Sequence, residues 1–235
     1  MRKAILLGGW LAVLVVGRWT VAQEETVAQE DLPAAGQPAA ALSAEISAQY
    51  SYSIGLQVGS TFQADGATLD VDSLLAGVKD GLSAAKPKYE SEVLEKALEE
   101  LGRFRMQVHI ARNREYLAKN GKLEGVQVLP SGLQYKVLQS GDGPSPAAGD
   151  RVKTHYRGQL IDGTVFDSSY ERNEPFVTVV KEVIPGWSEA LQKMKVGDKW
   201  QLVIPSELGY GEAGAGGLIP PHATLVFEVE LLGIE

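Results

Sequence analysis

From Leu42 onward the apolar positions keep a helical step. Leu42, Ile46, Tyr50, Ile54, Val58 and Phe62 recur every fourth residue along one ridge. Gly55 and Gly59 flank that ridge. Glycine inside a helix costs about 1 kcal/mol, so the pair predicts close approach of another backbone. Val71, Leu74, Leu75, Val78 and Leu82 predict a second helix from Asp70 or Asp72 to Ala84, with an aspartate capping its first turn. A third opens at Pro87, a residue suited to a first turn, and closes at Gly121. Roughly 30 residues at about 1.5 Å each make it about 50 Å long. Val93, Ala97, Leu101, Phe104, Val108 and Ala111 form its apolar stripe. Glu92/Lys96, Glu99/Arg103 and Glu115/Lys119 place an acid four residues before a base, the favourable order. Beyond Ala111 the stripe ends, which predicts a stretch crossing solvent between two bodies.

After Ser131 the period falls to two. Strands are predicted over 132–139, 151–160, 176–180, 199–205 and 223–231, separated by turn residues at Gly141–Pro144, Asp162-Gly163, Gly197-Asp198 and the Gly-rich stretch 209–221. One short helix, Trp187 to Lys195, interrupts them after Pro185-Gly186. This is the pattern of an α+β domain, an antiparallel sheet around a single helix.

The first 41 residues carry neither period. Arg2 and Lys3 precede an uncharged run from Ala4 to Gly17, and Thr20-Val21-Ala22 follows Arg18. Residues 1–22 therefore read as a secretory signal, with an uncleaved anchor as the alternative. Either places the bulk of the chain outside the cytoplasm, in the periplasm or cell envelope. Residues 23–41 read as a disordered spacer, with a tandem TVAQEE/TVAQED repeat and a Pro/Ala-rich end.

Composition narrows the chemistry. With 44% apolar residues the 235-residue chain can build a core, and a formal charge of −8 argues against nucleic acid as a partner. The absence of cysteine excludes disulfides and thiolate chemistry. The three histidines, His109, His155 and His222, lack ligand spacing, so no metal is expected. His155 is offset from Val152, Thr154 and Tyr156 and so faces the opposite side of its strand. The Gly-rich stretch lacks the following helix that a phosphate cradle needs. Two short helices and half of a long one bury too little by themselves. Either paired chains or a self-contained three-helix bundle must cover the ridge. What remains is a set of aromatics from separate elements, Tyr156, Phe166, Phe176, Trp187, Tyr210 and Phe227, whose simplest role is core.

The motifs around those aromatics alter that view. The run 152–169 (VKTHYRGQLIDGTVFDSS), then VIPGW at 183–187 with Ala190 and Leu191, IPSELGYG at 204–211 and IPPHATLVFEVELL at 219–232 strongly resemble, in order, the signatures of FKBP-type peptidyl-prolyl cis-trans isomerases. SGLQY at 131–135 after a long helix and two short ones resembles the macrophage infectivity potentiator branch of that family. The resemblance implies a half-barrel sheet of five or six strands wrapped around the short helix, preceded by an all-α N-terminal region with a long connecting helix. It divides the chain into a helical dimerisation domain at 42–86, the connecting helix at 87–121 and an isomerase domain at 130–235. It implies catalysis of rotation about X-Pro bonds and help in folding exported proteins. A holding chaperone using the same pocket in a dimeric clamp, without catalysis, is the alternative, and a purely structural envelope module a third.

Residue by residue, the resemblance makes Trp187 the floor of the site, with Tyr156, Phe166, Asp167 and Tyr210 completing the catalytic set. Phe176, Val183, Ile184, Leu218, Ile219 and Phe227 become substrate-binding residues, and the Ile184 N–H a donor to the substrate carbonyl. No cofactor is implied. The implied partners are proline-containing polypeptides, a second copy of the chain and FK506-like macrolides. A shortened segment between Phe176 and Val183, Thr178 in place of an aromatic, and Ala215–Gly217 in place of a bulky pair depart from the pattern. They bear on substrate preference and macrolide affinity. Arg172 either pairs with Asp167 or is a solvated surface arginine.

Overall fold

A computed structural model describes residues 42–235, so the signal and spacer expected at 1–41 lie outside the described residues. The chain divides between residues 51 and 52 into two units, and the packing below is that of the second. Helix α1 spans Ala44–Asp65, α2 Val71–Leu82 and α3 Ser91–Asn120. Asp70 caps α2 as expected, its carboxylate accepting from Ser73 N at 2.8 Å. Helix α3 starts later than expected: Pro87 stays outside it, and Glu90 occupies the cap position. Two of the three expected ion pairs form, Glu92–Lys96 at 2.8 Å and Glu115–Lys119 at 2.6 Å, whereas Arg103 turns to Glu100.

No residue of α1 or α2 is buried, and Gly55 and Gly59 face open space. A self-contained three-helix bundle would bury that ridge. The end of α1 does reach α3: Arg105 meets Asp65 at 2.7 Å and lies over the Phe62 ring, and Arg112 bonds the Ala64 carbonyl.

The second half of α3 departs from the solvent-crossing expectation. Its buried residues are Asn113 and Asn120, both beyond the apolar stripe. Asn120 donates to Gln134 Oε1 and Gln134 Nε2 donates to the Leu117 carbonyl, each at 2.9 Å. This half lies against the sheet through hydrogen bonds, which a hydrophobic pattern does not register.

The sheet has seven antiparallel strands in the order β1-β2-β6-β7-β3-β4, with β5 also on β3. These are β1 Val126–Val128, β2 Gln134–Gln139, β3 Arg151–Leu160, β4 Val165–Ser168, β5 Phe176–Val179, β6 Lys199–Ile204 and β7 Leu225–Ile234. Strand β3 matches its expected bounds, while β1 and β4 have too few residues to show a period of two. One edge of β3 is shared, Arg151–Thr154 pairing with β5 and Arg157–Gln159 with β4. Helix α4, Pro185–Leu191, is shorter than expected and begins earlier. It lays Trp187, Ala190 and Leu191, with Met194 beyond its end, into one core with Leu202, Ile204, Leu225, Phe227, Val229 and Leu231 of the sheet. Close approach requires Gly186, where a Cβ would stand 2.6 Å from Ile204. His155 faces away from the core as expected, stacked on Tyr170 with ring centroids 4.7 Å apart.

Candidate active site

A cavity of about 540 Å³ opens between α4 and the sheet. Every residue expected there lines it: Tyr156 from β3, Phe166 and Asp167 from β4, Phe176 from β5, Val183, Ile184 and Trp187 around the start of α4, Tyr210, Leu218 and Ile219 from the Gly-rich stretch, and Phe227 from β7. Glu182, Ala215 and Gly216 also line it and were not expected. Glu182 closes a short 3-10 turn, Val180–Glu182, that carries β5 directly to Val183. Ala215 enters because its backbone pairs with Ile219 in both directions at 2.9 Å, folding the loop back over the opening. Neither signal is present in residue type alone.

The aromatic rings pack edge to face, the arrangement their quadrupoles favour. Trp187 stands 5.1 Å from Tyr156 and 5.2 Å from Phe227, and Phe166 is 5.5 Å from Phe227. Only 3% of Trp187 is exposed, and its buried Nε1 has no hydrogen-bond partner among the described residues. Gly158 makes the ring arrangement fit. A Cβ there would lie 2.6 Å from Phe166 and 2.7 Å from Phe227. Pro185 takes the first turn of α4, where its missing N–H is not needed. The preceding Ile184 N–H makes no hydrogen bond to the described residues, leaving a donor at the cavity wall.

One side of this apolar box is charged. Asp167 accepts hydrogen bonds from the Tyr156 hydroxyl and from Arg172, and Arg172 Nη2 also reaches that hydroxyl at 3.1 Å. Arg172 therefore pairs with Asp167. Burial alone would raise the Asp167 pKa, but the bonds from Tyr156 and Arg172 and the guanidinium charge together hold it below the ordinary carboxylate value. Burial and the bond to Asp167 push Tyr156 up. Burial, then the charge of Asp167, does the same to Tyr210, so both phenols stay protonated donors at neutral pH. Each Asp167 oxygen accepts one of these hydrogen bonds, which fixes its negative charge beside the cavity.

Among the described residues that line this cavity there is no nucleophile–base pair, and no cluster of metal-ligating side chains occurs among the described residues. An apolar box with two phenols and one held carboxylate can bind, desolvate and orient an amide.

Residues 143–232 match the family model described as FKBP-type peptidyl-prolyl cis-trans isomerase. Residues 47–137 match that of the domain amino terminal to FKBP-type peptidyl-prolyl isomerase. The FKBP-type 22 kDa peptidyl-prolyl cis-trans isomerase of Escherichia coli is 51% identical over 197 residues, covering 80% of this chain and 96% of that protein. The outer membrane protein MIP of Legionella longbeachae is 37% identical, covering 79% and 84%. The crystal structure of FkpA from Escherichia coli aligns with a TM-score of 0.53 at 36% identity, covering 81% of this chain and 95% of that one.

Proposed function

The chain belongs to the FKBP-type peptidyl-prolyl cis-trans isomerases, in the branch that carries the amino-terminal domain, and from that premise we propose that it turns X-Pro bonds in the cavity floored by Trp187. Its activity is isomerisation of the peptidyl-prolyl bond. The observation that carries the assignment of the site is the edge-to-face aromatic box closed on one side by Asp167, Tyr156 and Arg172.

The geometry suits the reaction. Amide resonance opposes rotation with a barrier of about 20 kcal/mol. The twisted amide has less charge separation than the planar one, so a water-poor apolar pocket disfavours the ground state more than the twisted state. Lowering the barrier by about 4 kcal/mol would accelerate rotation roughly a thousandfold. In this reading the proline ring sits over Trp187 between Tyr156, Phe176 and Phe227. Val183, Ile184, Leu218 and Ile219 exclude water, and Phe166 backs Phe227. The Ile184 N–H and the Tyr210 hydroxyl orient the carbonyl beside the fixed charge of Asp167. A protease-coupled assay on an X-Pro peptide tests it. Trp187→Ala and Asp167→Ala should each lower kcat/KM at least about tenfold with unchanged far-UV circular dichroism. Full activity in Asp167→Ala would remove that residue from the site.

The same reading takes the chain to be exported, to assist folding of exported proteins and to pair through its N-terminal helices. The uncharged run at 4–17 behind Arg2 and Lys3, and the relationship to an outer membrane protein, support export. Exposed apolar residues such as Ile54, Leu75 and Leu98 support pairing. The open 540 Å³ cavity would also take an FK506-like macrolide.

A further inference from the structure

Asn113 sits in the last third of α3, where no helix end needs capping, and only 4% of it is exposed. Its Oδ1 accepts from Thr224 N at 2.7 Å. Its Nδ2 donates to the His109 carbonyl at 2.8 Å and lies 3.1 Å from His109 Nε2. Bonds on both sides fix the side chain. Thr224, 1% exposed, immediately precedes β7.

The segment running back from Thr224 is stiff. His222 holds a left-handed backbone, φ 58°, with its N–H on the Gly211 carbonyl at 2.8 Å. A non-glycine residue stays in that region only where its surroundings hold it there. Pro221 and Pro220 have φ locked by their rings. Next comes Ile219, 7% exposed, a wall of the aromatic cavity. The His109 ring and Pro220 line a separate cavity of about 410 Å³. Helix α3 thus grips the rear of the loop whose front faces the substrate.

We propose that Asn113 is a positioning residue for the isomerase reaction, holding Thr224 so that the rigid 220–222 segment presents Ile219 and Leu218 to the proline pocket. The inference rests on the reading of that cavity as the X-Pro site. An apolar side chain at 113 could fill the same volume, but it would leave the Thr224 N–H buried without an acceptor and let the loop slide. The hydrogen bond sets one register between helix and loop. A shift of α3 along the sheet is then felt at Ile219, so the helical arm and the pocket are mechanically joined.

The test compares Asn113→Leu and Asn113→Asp in the full chain, with Trp187→Ala as the reference for the site. Because Ile219 and Leu218 both hold the ring and keep water from the amide, Asn113→Leu should lower kcat/KM on the order of fivefold. It should also move the Ile219 methyl resonance. Asn113→Asp keeps the oxygen that Thr224 N needs, and burial favours its protonated carboxyl, whose O–H can still donate to the His109 carbonyl, so it should recover most of kcat/KM. Wild-type kcat/KM and an unmoved Ile219 signal in Asn113→Leu overturn the proposal, as does equal impairment of both variants. If Asn113→Leu does not fold, Asn113→Ser, whose oxygen is one bond too short to reach Thr224, takes its place with the same readouts. An inactive wild type, or an unimpaired Trp187→Ala, refutes the reading of the cavity itself. Normal behaviour of both beside an indifferent position 113 refutes only the present proposal.

Discussion

At position 158 the pocket depends on an atom that is not there. With ring atoms 2.6 and 2.7 Å from where a Cβ would stand, even alanine must push Phe166 or Phe227 aside. Overpacking of this kind costs about 1–3 kcal/mol, and here the displaced rings belong to the site. Gly158→Ala is expected to lower both the melting temperature and kcat/KM, whereas an ordinary surface strand position would tolerate it. Asp167 gives a second outcome at this scale. Its folded pKa lies below its unfolded value, so its contribution to stability is present above the ordinary carboxylate range and is lost as pH falls through the folded value. Activity should therefore hold as pH drops into that range. Arg172→Ala should move the acid limb of the kcat/KM profile to higher pH. Most of the lining aromatics were legible because they lie inside continuous motifs, and Phe176 lies in the strand pattern between two of them. Gly158 and Ala215 were not, since their importance rests on what a neighbouring strand or loop brings against them.

Among the elements, α3 shows most clearly what periodicity can and cannot reveal. Its length and first-half stripe were legible from spacing, but its docking was not. Asn113, Asn120 and Gln134 are buried through paired hydrogen bonds, and a polar residue so satisfied has the same letter as one in water. Gln134→Ala removes the acceptor of Asn120 and the donor to Leu117 together. Leaving such buried groups unpaired costs about 1–3 kcal/mol, measurable as a lower midpoint in denaturant. His109 on the same helix is held below its usual pKa first by burial, then by the charges of His222 and Arg112. The unfolded chain takes up that proton first, so stability should decline as pH falls below about 6.5, the ordinary histidine value. His109→Gln should flatten that slope in melting temperature against pH. Strands β1 and β4 escaped notice for a different reason: three and four residues cannot display an alternation.

For the molecule as a whole, the exposed ridge of the N-terminal helices is the unsettled surface. Tyr52 is 71% and Leu82 86% exposed, values that isolated large apolar residues can reach but that here recur along two helices without one buried position. Light scattering on the full chain and on a chain lacking residues 42–104 separates the cases. The second keeps the half of α3 that carries Asn113 and Asn120 against the sheet. It should be monomeric while still turning over a small X-Pro peptide, and a shortened chain that stays dimeric would place the contact elsewhere. Fold class was legible at this scale, because the change from a step of four to a step of two divides the chain near residue 131. The joining of arm to sheet through side-chain amides was not.

The divided edge of β3 has a further consequence. The outer strands of the sheet are β1, with three residues, and β4 and β5, with four each. An unfolded chain can extend a sheet only along a free ladder of peptide groups, and short borders offer it little to copy. Incompletely folded polypeptides expose strands that seek such a ladder. By breaking its margins into pieces this short, the sheet can hold a proline in its pocket without becoming a seed on which its own substrates polymerise.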